Sequence, residues 1–209
     1  MTDKTHELLV LGIGNLLWAD EGFGVRCVEA LQAGWQTGPR TLLMDGGTQG
    51  LYLLPYIEEA RRLIVFDAVD YGRAPGELVV AVDREVPRFM GVKKMSLHQT
   101  GFQEVLMAAE LLGRLPESMV LIGVQAEQLE DYGGSLRDSV RAQIDPALLI
   151  ARDWMRRWGL DCLPRSAPPD GPALTAAALQ LAAYEGGRPS AEAACRFGDA
   201  RVLAGRAAG

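Results

Sequence analysis

Short, strongly apolar runs that each stop at a glycine or an aspartate, with helical spacing between them, constrain this chain more than any other feature. Leu8-Leu9-Val10-Leu11 runs into Gly12-Ile-Gly14 and reads as a buried strand. Glu21 to Ala33 follows as a helix, with Val25, Val28, Ala30 and Leu31 near helical spacing and Gly34 as its stop. Thr41 to Met44 reads as a second strand ended by Asp45-Gly46-Gly47, and Leu51 to Ala60 as a helix with Pro55 in its first turn or at a kink. A third buried strand, Leu63 to Phe66, ends at Asp67. Gly76 to Val82 follows Ala-Pro-Gly and alternates less cleanly, as a strand at or near a sheet edge does. Phe102, Val105, Leu106, Ala109 and Leu112 make one apolar helix face closed by Gly113, and Met119 to Val124 is a further buried strand. Ser135 to Trp158 is helical, with Pro146 marking a break between two helices. Strands alternating with helices predict a three-layer α/β/α fold around a mostly parallel central sheet.

At 209 residues the chain can bury one sizeable core. Its net charge of −6 argues against a phosphate backbone as its main partner, so no nucleic acid is expected. No apolar stretch approaches the ~18 residues of a membrane span, and Met1 to Glu7 lacks the pattern of a signal peptide. Cys27, Cys162 and Cys195 are spaced neither as a disulfide framework nor as a metal clip. These features predict a cytoplasmic protein with reduced thiols and no membrane insertion. Residues 1–163 are expected to form the α/β domain. From Pro164 the composition shifts to a proline-rich linker (Pro164, Pro168, Pro169, Pro172), then an alanine-rich stretch, then small polar residues. The segment 164–209 is therefore expected to be a C-terminal extension, partly helical or disordered.

In open α/β sheets ligands sit beyond the carboxyl ends of the strands, so the residues that follow each strand matter most. Here they are Asp20 and Glu21, Asp45, then Asp67 and Asp70, with His98 just ahead of the Phe102 helix. His6, the other histidine, precedes the first strand at the opposite edge. The Gly12-x-Gly14 loop suggests a dinucleotide site, with Asp45 as the ribose-binding acid. Leu17 at the third glycine position and the acidic pair where a pyrophosphate would lie both oppose it. A cation reverses that electrostatic objection. Glu21, Asp67 and a neutral His98 make a mixed oxygen and nitrogen set suited to nickel or zinc, with positions left open for substrate. The same side chains also suit a plainer role, the carboxylates capping helices or bonding loop amides and His98 half-buried. Ser96 and Thr100 compete as the cap of the following helix; with Ser96 as cap, His98 falls in the first turn, where the helix dipole disfavours imidazolium. Cys27 lies in an apolar helical pattern and reads as core. Trp18 is either a lid on the site or a surface contact, and Lys93-Lys94 either a solvated loop or a docking element.

Gly12-Ile-Gly-Asn-Leu-Leu-Trp-Ala-Asp-Glu-Gly-Phe-Gly-Val25, Asp45-Gly-Gly-Thr-Gln-Gly-Leu51, Phe66-Asp-Ala-Val-Asp70 and Lys93-Lys-Met-Ser-Leu-His-Gln99 together resemble the [NiFe]-hydrogenase maturation endopeptidases. Asp131-Tyr-Gly-Gly-Ser135 narrows the likeness to the subgroup serving membrane-bound uptake hydrogenases, and Tyr184-Glu-Gly-Gly-Arg188 resembles that subgroup's extension more loosely. The resemblance covers about residues 7 to 163. It implies a twisted, mainly parallel sheet between helices, and an enzyme that clips a short C-terminal peptide from the hydrogenase large-subunit precursor after nickel insertion. The cut follows a His or Arg in a Cys-x-x-Cys-x-x-(His/Arg) motif. It also implies that Glu21, Asp67 and His98 are the metal-contacting and catalytic residues, and that the nickel is carried by the precursor. A non-catalytic nickel-sensing chaperone of the same subunit, and more remotely a nucleotide-binding α/β domain, are the competing functions.

Overall fold

The computed structural model describes residues 4–89, 97–169 and 172–188, with backbone alone at 88–89 and 97–100. In chain order the elements are β1 (Leu8–Ile13), α1 (Phe23–Gly34), β2 (Trp35–Thr37), β3 (Thr41–Gly47), α2 (Leu54–Glu59) and β4 (Arg62–Val69). There follow β5 (Leu78–Val82), α3 (Glu85–Phe89), α4 (Leu97–Leu111), β6 (Ser118–Gln125), α5 (Asp138–Arg141), α6 (Ile144–Arg157), β7 (Cys162–Pro164) and α7 (Leu181–Gly186). Five strands form one sheet in the order β3-β1-β4-β6-β5, all parallel except β5, which pairs antiparallel with β6 at the edge. The expected three-layer architecture is what the chain adopts, and the strand behind Ala-Pro-Gly lies at the edge.

Side-chain alternation along each strand divides the core into two halves. Leu8, Val10, Ile64, Phe66, Val120 and Ile122 face α1 and α6, packing on Cys27, Val28, Leu31, Leu148 and Met155. Leu9, Leu11, Leu63, Val65 and Leu121 face the other way onto α2 and α4, against Ile57, Phe102, Val105 and Leu106. Both faces of β1, β4 and β6 are covered, which is why those runs are continuously apolar rather than alternating. Cys27 is buried, and burial holds its thiol well above the usual range, so it stays an inert core group.

Two local details differ from the sequence pattern. Pro146 sits in the first turn of α6, where its missing N–H costs nothing, and the break falls earlier, at Ala142 and Gln143. In addition, β2 and β7 form a small antiparallel ribbon that periodicity gave no sign of. Arg165 secures it by donating from Nε to the carbonyls of Gln32 and Trp35, both at 2.9 Å.

Beyond the ribbon the chain runs back over α1. Arg26, 4% exposed, donates to the Leu179 carbonyl at 2.6 Å and pairs with Glu29 at 2.8 Å. Glu29 in turn accepts from the Thr175 hydroxyl. The described part of the extension is therefore held against the α/β unit through a buried charged side chain. No helix among the described residues is long and apolar enough to cross a membrane.

Candidate active site

The first loop owes its shape to glycine. A Cβ on Gly12 would stand 2.5 Å from the Gly24 carbonyl oxygen, and one on Gly24 would meet the carbonyl oxygens of Ile13 and Phe66 at 2.3 Å. The start of α1 therefore rests directly on the end of β1 and on β4 at Phe66. At Gly14, φ is +132°, and an added Cβ would collide with the Glu21 carbonyl. These glycines bring a 3-10 turn, Ala19–Gly22, into the space where a pyrophosphate would approach a dinucleotide-binding helix. The turn touches β4, so Glu21 and Asp67, the residue after Phe66, come to the same end of the sheet.

Neighbouring carboxylates in that turn have different work. Asp20 is fully buried, and its Oδ2 accepts the backbone N–H groups of Glu127 and Gln128 at 2.9 and 2.8 Å. Its Oδ1 accepts the N–H of Arg137 at 2.7 Å, and its own N–H donates to the Gln128 carbonyl at 3.1 Å. Asp20 thus ties the loop after β1 to the loop after β6. Glu21 is half-buried.

Asp67 is 3% exposed and lies in register with Gly123 of β6. Just beyond it, Gln125 pins the loop after β4. Its Oε1 accepts the N–H groups of Tyr71 and Arg73 at 2.9 and 3.2 Å, and its Nε2 donates to Asp70 Oδ1 at 3.1 Å. Asp70 is thereby engaged in holding this loop. Tyr71 is a residue that spacing did not single out. Burial first, then the Asp67 charge, pushes its phenol upward, so it remains a neutral hydroxyl at physiological pH. The strand runs on past the expected Phe66 end to Val69, and a position next to Asp70 in the loop that follows was the only signal for Tyr71.

On the far side of β1, Asp45 Oδ1 accepts the Gly47 N–H at 2.8 Å across the register shift that ends the β1–β3 pairing. The 3-10 turn Gly50–Leu53 follows, and Gly50 and Gly101 approach so closely that a Cβ on Gly101 would lie 3.4 Å from the Gly50 Cα. The first turns of α4 are thereby brought to the same sheet end. His98 is the second residue of α4, and Thr100 lies inside it, so the helix begins ahead of the Thr100 position. Ser96, Lys93 and Lys94 and the side chain of His98 lie outside the described residues. His6 bridges to Ala60 ahead of β1, at the opposite edge.

Burial is the main cause raising the Asp45 carboxyl, with the Glu29 charge adding to it while the Gly47 N–H and Arg26 oppose it. A carboxyl whose folded pKa is raised contributes stability that is complete below its unfolded value and lost as pH rises through the folded one. Asp45→Asn removes that charge and keeps an oxygen for Gly47. Its melting temperature should exceed that of the wild type at pH 7, and the gap should close below about pH 4. A variant less stable than wild type at neutral pH would show that the carboxylate itself is needed.

Trp18 is half-buried and meets the Tyr132 ring edge-to-face, with centroids 5.4 Å apart. The two residues also form an antiparallel bridge, and Gly133 donates its N–H to the Leu17 carbonyl at 2.7 Å. Asp131 pairs with Arg137 at 2.8 Å beneath them. Tyr132 is 63% exposed. An acidic pair, a buried aspartate with a neutral phenol beside it and an aromatic rim thus lie around one open end of a parallel sheet.

The hydrogenase maturation protease family matches this chain over residues 25–154. A hydrogenase expression/formation protein, HoxM of Cupriavidus necator, is 54% identical over 197 residues, which are 94% of this chain and 98% of that protein. HoxM of Azotobacter vinelandii is 56% identical over 196 residues, 94% of each chain. Among solved structures, the hydrogenase maturating endopeptidase HybD of Escherichia coli superposes with a TM-score of 0.73 at 38% identity, covering 77% of this chain and 98% of its own. The chain belongs to the hydrogenase maturation protease family.

Proposed function

We propose that this protein is an endopeptidase that removes the C-terminal peptide of a [NiFe]-hydrogenase large-subunit precursor once nickel has been inserted. The observation that carries the reading is the contact of the Glu21 turn with β4, the strand that bears Asp67, with the first turns of α4, which bear His98, at the same sheet end. Glu21, Asp67 and His98 are the residues proposed to contact the nickel presented by the precursor. Two carboxylates and one imidazole, with no cysteine or second histidine assigned to them, suit completion of a shell that the partner's thiolates already hold.

Nickel held by the precursor would supply Lewis acidity at the scissile carbonyl or at a bound water. The protein's share is proton transfer. Glu21 or Asp67 takes a proton from the attacking water, and the proton passes to the leaving nitrogen as the C–N bond breaks. One new carboxylate and one new amine result. The neutral Tyr71 hydroxyl beside Asp67 is a donor that keeps its proton throughout.

The test is incubation with purified precursor, nickel-loaded and nickel-free, followed by intact-mass measurement and elemental analysis of the protease. The expected result is loss of the C-terminal peptide from the loaded precursor alone, and little stoichiometric metal in the protease. Cleavage of the nickel-free precursor by a protein holding one firm zinc or nickel would make it a conventional metalloprotease. Binding without any mass loss would make it a nickel-sensing chaperone.

A further inference from the structure

The two glycine-bearing motifs Asp131-Tyr-Gly-Gly-Ser135 and Tyr184-Glu-Gly-Gly-Arg188 touch each other. The Tyr184 hydroxyl donates to the Gly134 carbonyl at 3.2 Å, and Ser135 Oγ donates to Glu185 Oε1 at 2.5 Å. Arg141 grips the same Glu185 carboxylate through both terminal nitrogens. Behind Tyr184 stands buried Arg26, its guanidinium 5.8 Å from the ring centroid and bonded to the Leu179 carbonyl. The loop that the extension holds is tight. Gly133 has φ +74°, and a Cβ on Gly134 would meet an Asp131 carboxylate oxygen at 2.6 Å. That loop carries Tyr132, which packs on Trp18, and the Trp18 carbonyl accepts the Glu21 N–H at 2.9 Å.

We propose that Tyr184 and Glu185 of the extension latch the 131–135 loop and so fix the Trp18–Tyr132 pair as the wall on which the C-terminal segment of the precursor docks beside Glu21. The inference rests on the function proposed above, and it assigns the extension a part in substrate selection. A ring as large as Tyr132, mostly exposed yet held edge-to-face against a second aromatic, contributes little to the core. Rigid aromatic surface of this kind is what binding hot spots are made of, because little side-chain entropy remains to be lost. It is continuous with the proposed site through Trp18, which lies three residues and one hydrogen bond from Glu21. The Escherichia coli endopeptidase uses 98% of its length to match 77% of this chain, so the family fold closes without an addition of the extension's size. The Cupriavidus necator protein matches 94% of this chain and so extends further over it. Tyr184 and Glu185 are positioning residues, acting through the loop rather than on the substrate.

The experiment measures cleavage of nickel-loaded precursor by full-length variants across substrate concentration. Tyr132→Ala should raise KM about tenfold with kcat within about twofold of wild type, the signature of lost binding shared by ground and transition states. Tyr132→Phe, which keeps the ring, should restore wild-type KM. Glu185→Ala should raise KM about threefold or more, and Glu185→Gln, which keeps an acceptor for Ser135, should recover part of the loss. The Tyr132→Ala/Glu185→Ala double variant should be no worse than Tyr132→Ala alone, because the latch works through that ring. If Glu185→Ala does not fold, Tyr184→Phe removes only the hydroxyl on Gly134 and should raise KM in the same sense. Unchanged KM in Tyr132→Ala, effects confined to kcat, or losses that multiply in the double variant would overturn the latch. Failure of the wild type to cut any precursor would instead overturn the proposed function.

Discussion

Glu21→Gln and Asp67→Asn should each slow precursor cleavage by roughly a thousandfold or more, in proteins whose melting temperatures stay within a few degrees of wild type. Both substitutions keep shape and one acceptor oxygen, so what they remove is charge and basicity at the sheet end. The turn bearing Glu21 is tied down through Asp20, and the strand bearing Asp67 is held by the β6 ladder. His98→Ala should behave alike. The measurement is single-turnover cleavage by intact mass, with precursor binding followed in parallel. A Glu21→Gln protein that binds precursor and does not cut it places the charge in the chemical step. Rates within about tenfold of wild type for both carboxylate variants would remove them from the reaction, since positioned acid–base groups contribute at least a hundredfold.

The sheet was legible in the sequence because burial on both faces leaves a continuous apolar signature. Leu8–Leu11, Leu63–Phe66 and Met119–Val124 could not pack otherwise, and each lies inside a central strand. The edge strand was legible for the opposite reason, its alternation weakened and a proline close before it. What escaped was structure without a period. Trp35-Gln-Thr37 and Cys162-Leu-Pro164 are three-residue strands whose pairing follows from the return of α6 to α1, a tertiary fact with no local cue. Pro146 was misleading in a specific way: proline is unfavourable in a helix interior and neutral in a first turn, so it marks a boundary only to within a few residues.

At the candidate site, topology alone brings the turn bearing Glu21, the strand bearing Asp67 and the first turns of α4 to one sheet end, because the residues after parallel strands gather there. The Gly-x-Gly loop spoke only weakly for a nucleotide, because glycine reports only that something comes close. Here the close neighbours are the carbonyls of Gly24 and Glu21, parts of the chain itself. The contact between the extension and the loop at 131–135 was invisible for the same reason as the ribbon. Tyr184 and Gly134 are separated by fifty residues, and the buried Arg26 that supports them lies in a helix whose other buried residues carry no charge.

Adjacent acids with opposite fates give the second large effect. Asp20→Ala should lower folding stability by roughly 3 kcal/mol, because three backbone N–H groups lose a charged acceptor inside the protein. In a chain of this length that corresponds to a fall in melting temperature on the order of 10 °C. Asp20→Asn should fall between alanine and wild type. Whichever way the amide turns, its single oxygen can serve the Glu127 and Gln128 side or the Arg137 side, and its NH2 then faces an N–H on the other. Cleavage should decline in both variants as well, since this carboxylate makes three of the hydrogen bonds that tie the loop after β6 to the Glu21 turn. The contrast with Glu21→Gln is the decisive reading: activity lost with stability intact at Glu21, stability and activity lowered together at Asp20. Denaturant unfolding with cleavage measured on the same preparations distinguishes them. An Asp20→Ala protein of wild-type stability would show that the three N–H groups find other acceptors and that the loop after β6 holds its place without the buried aspartate.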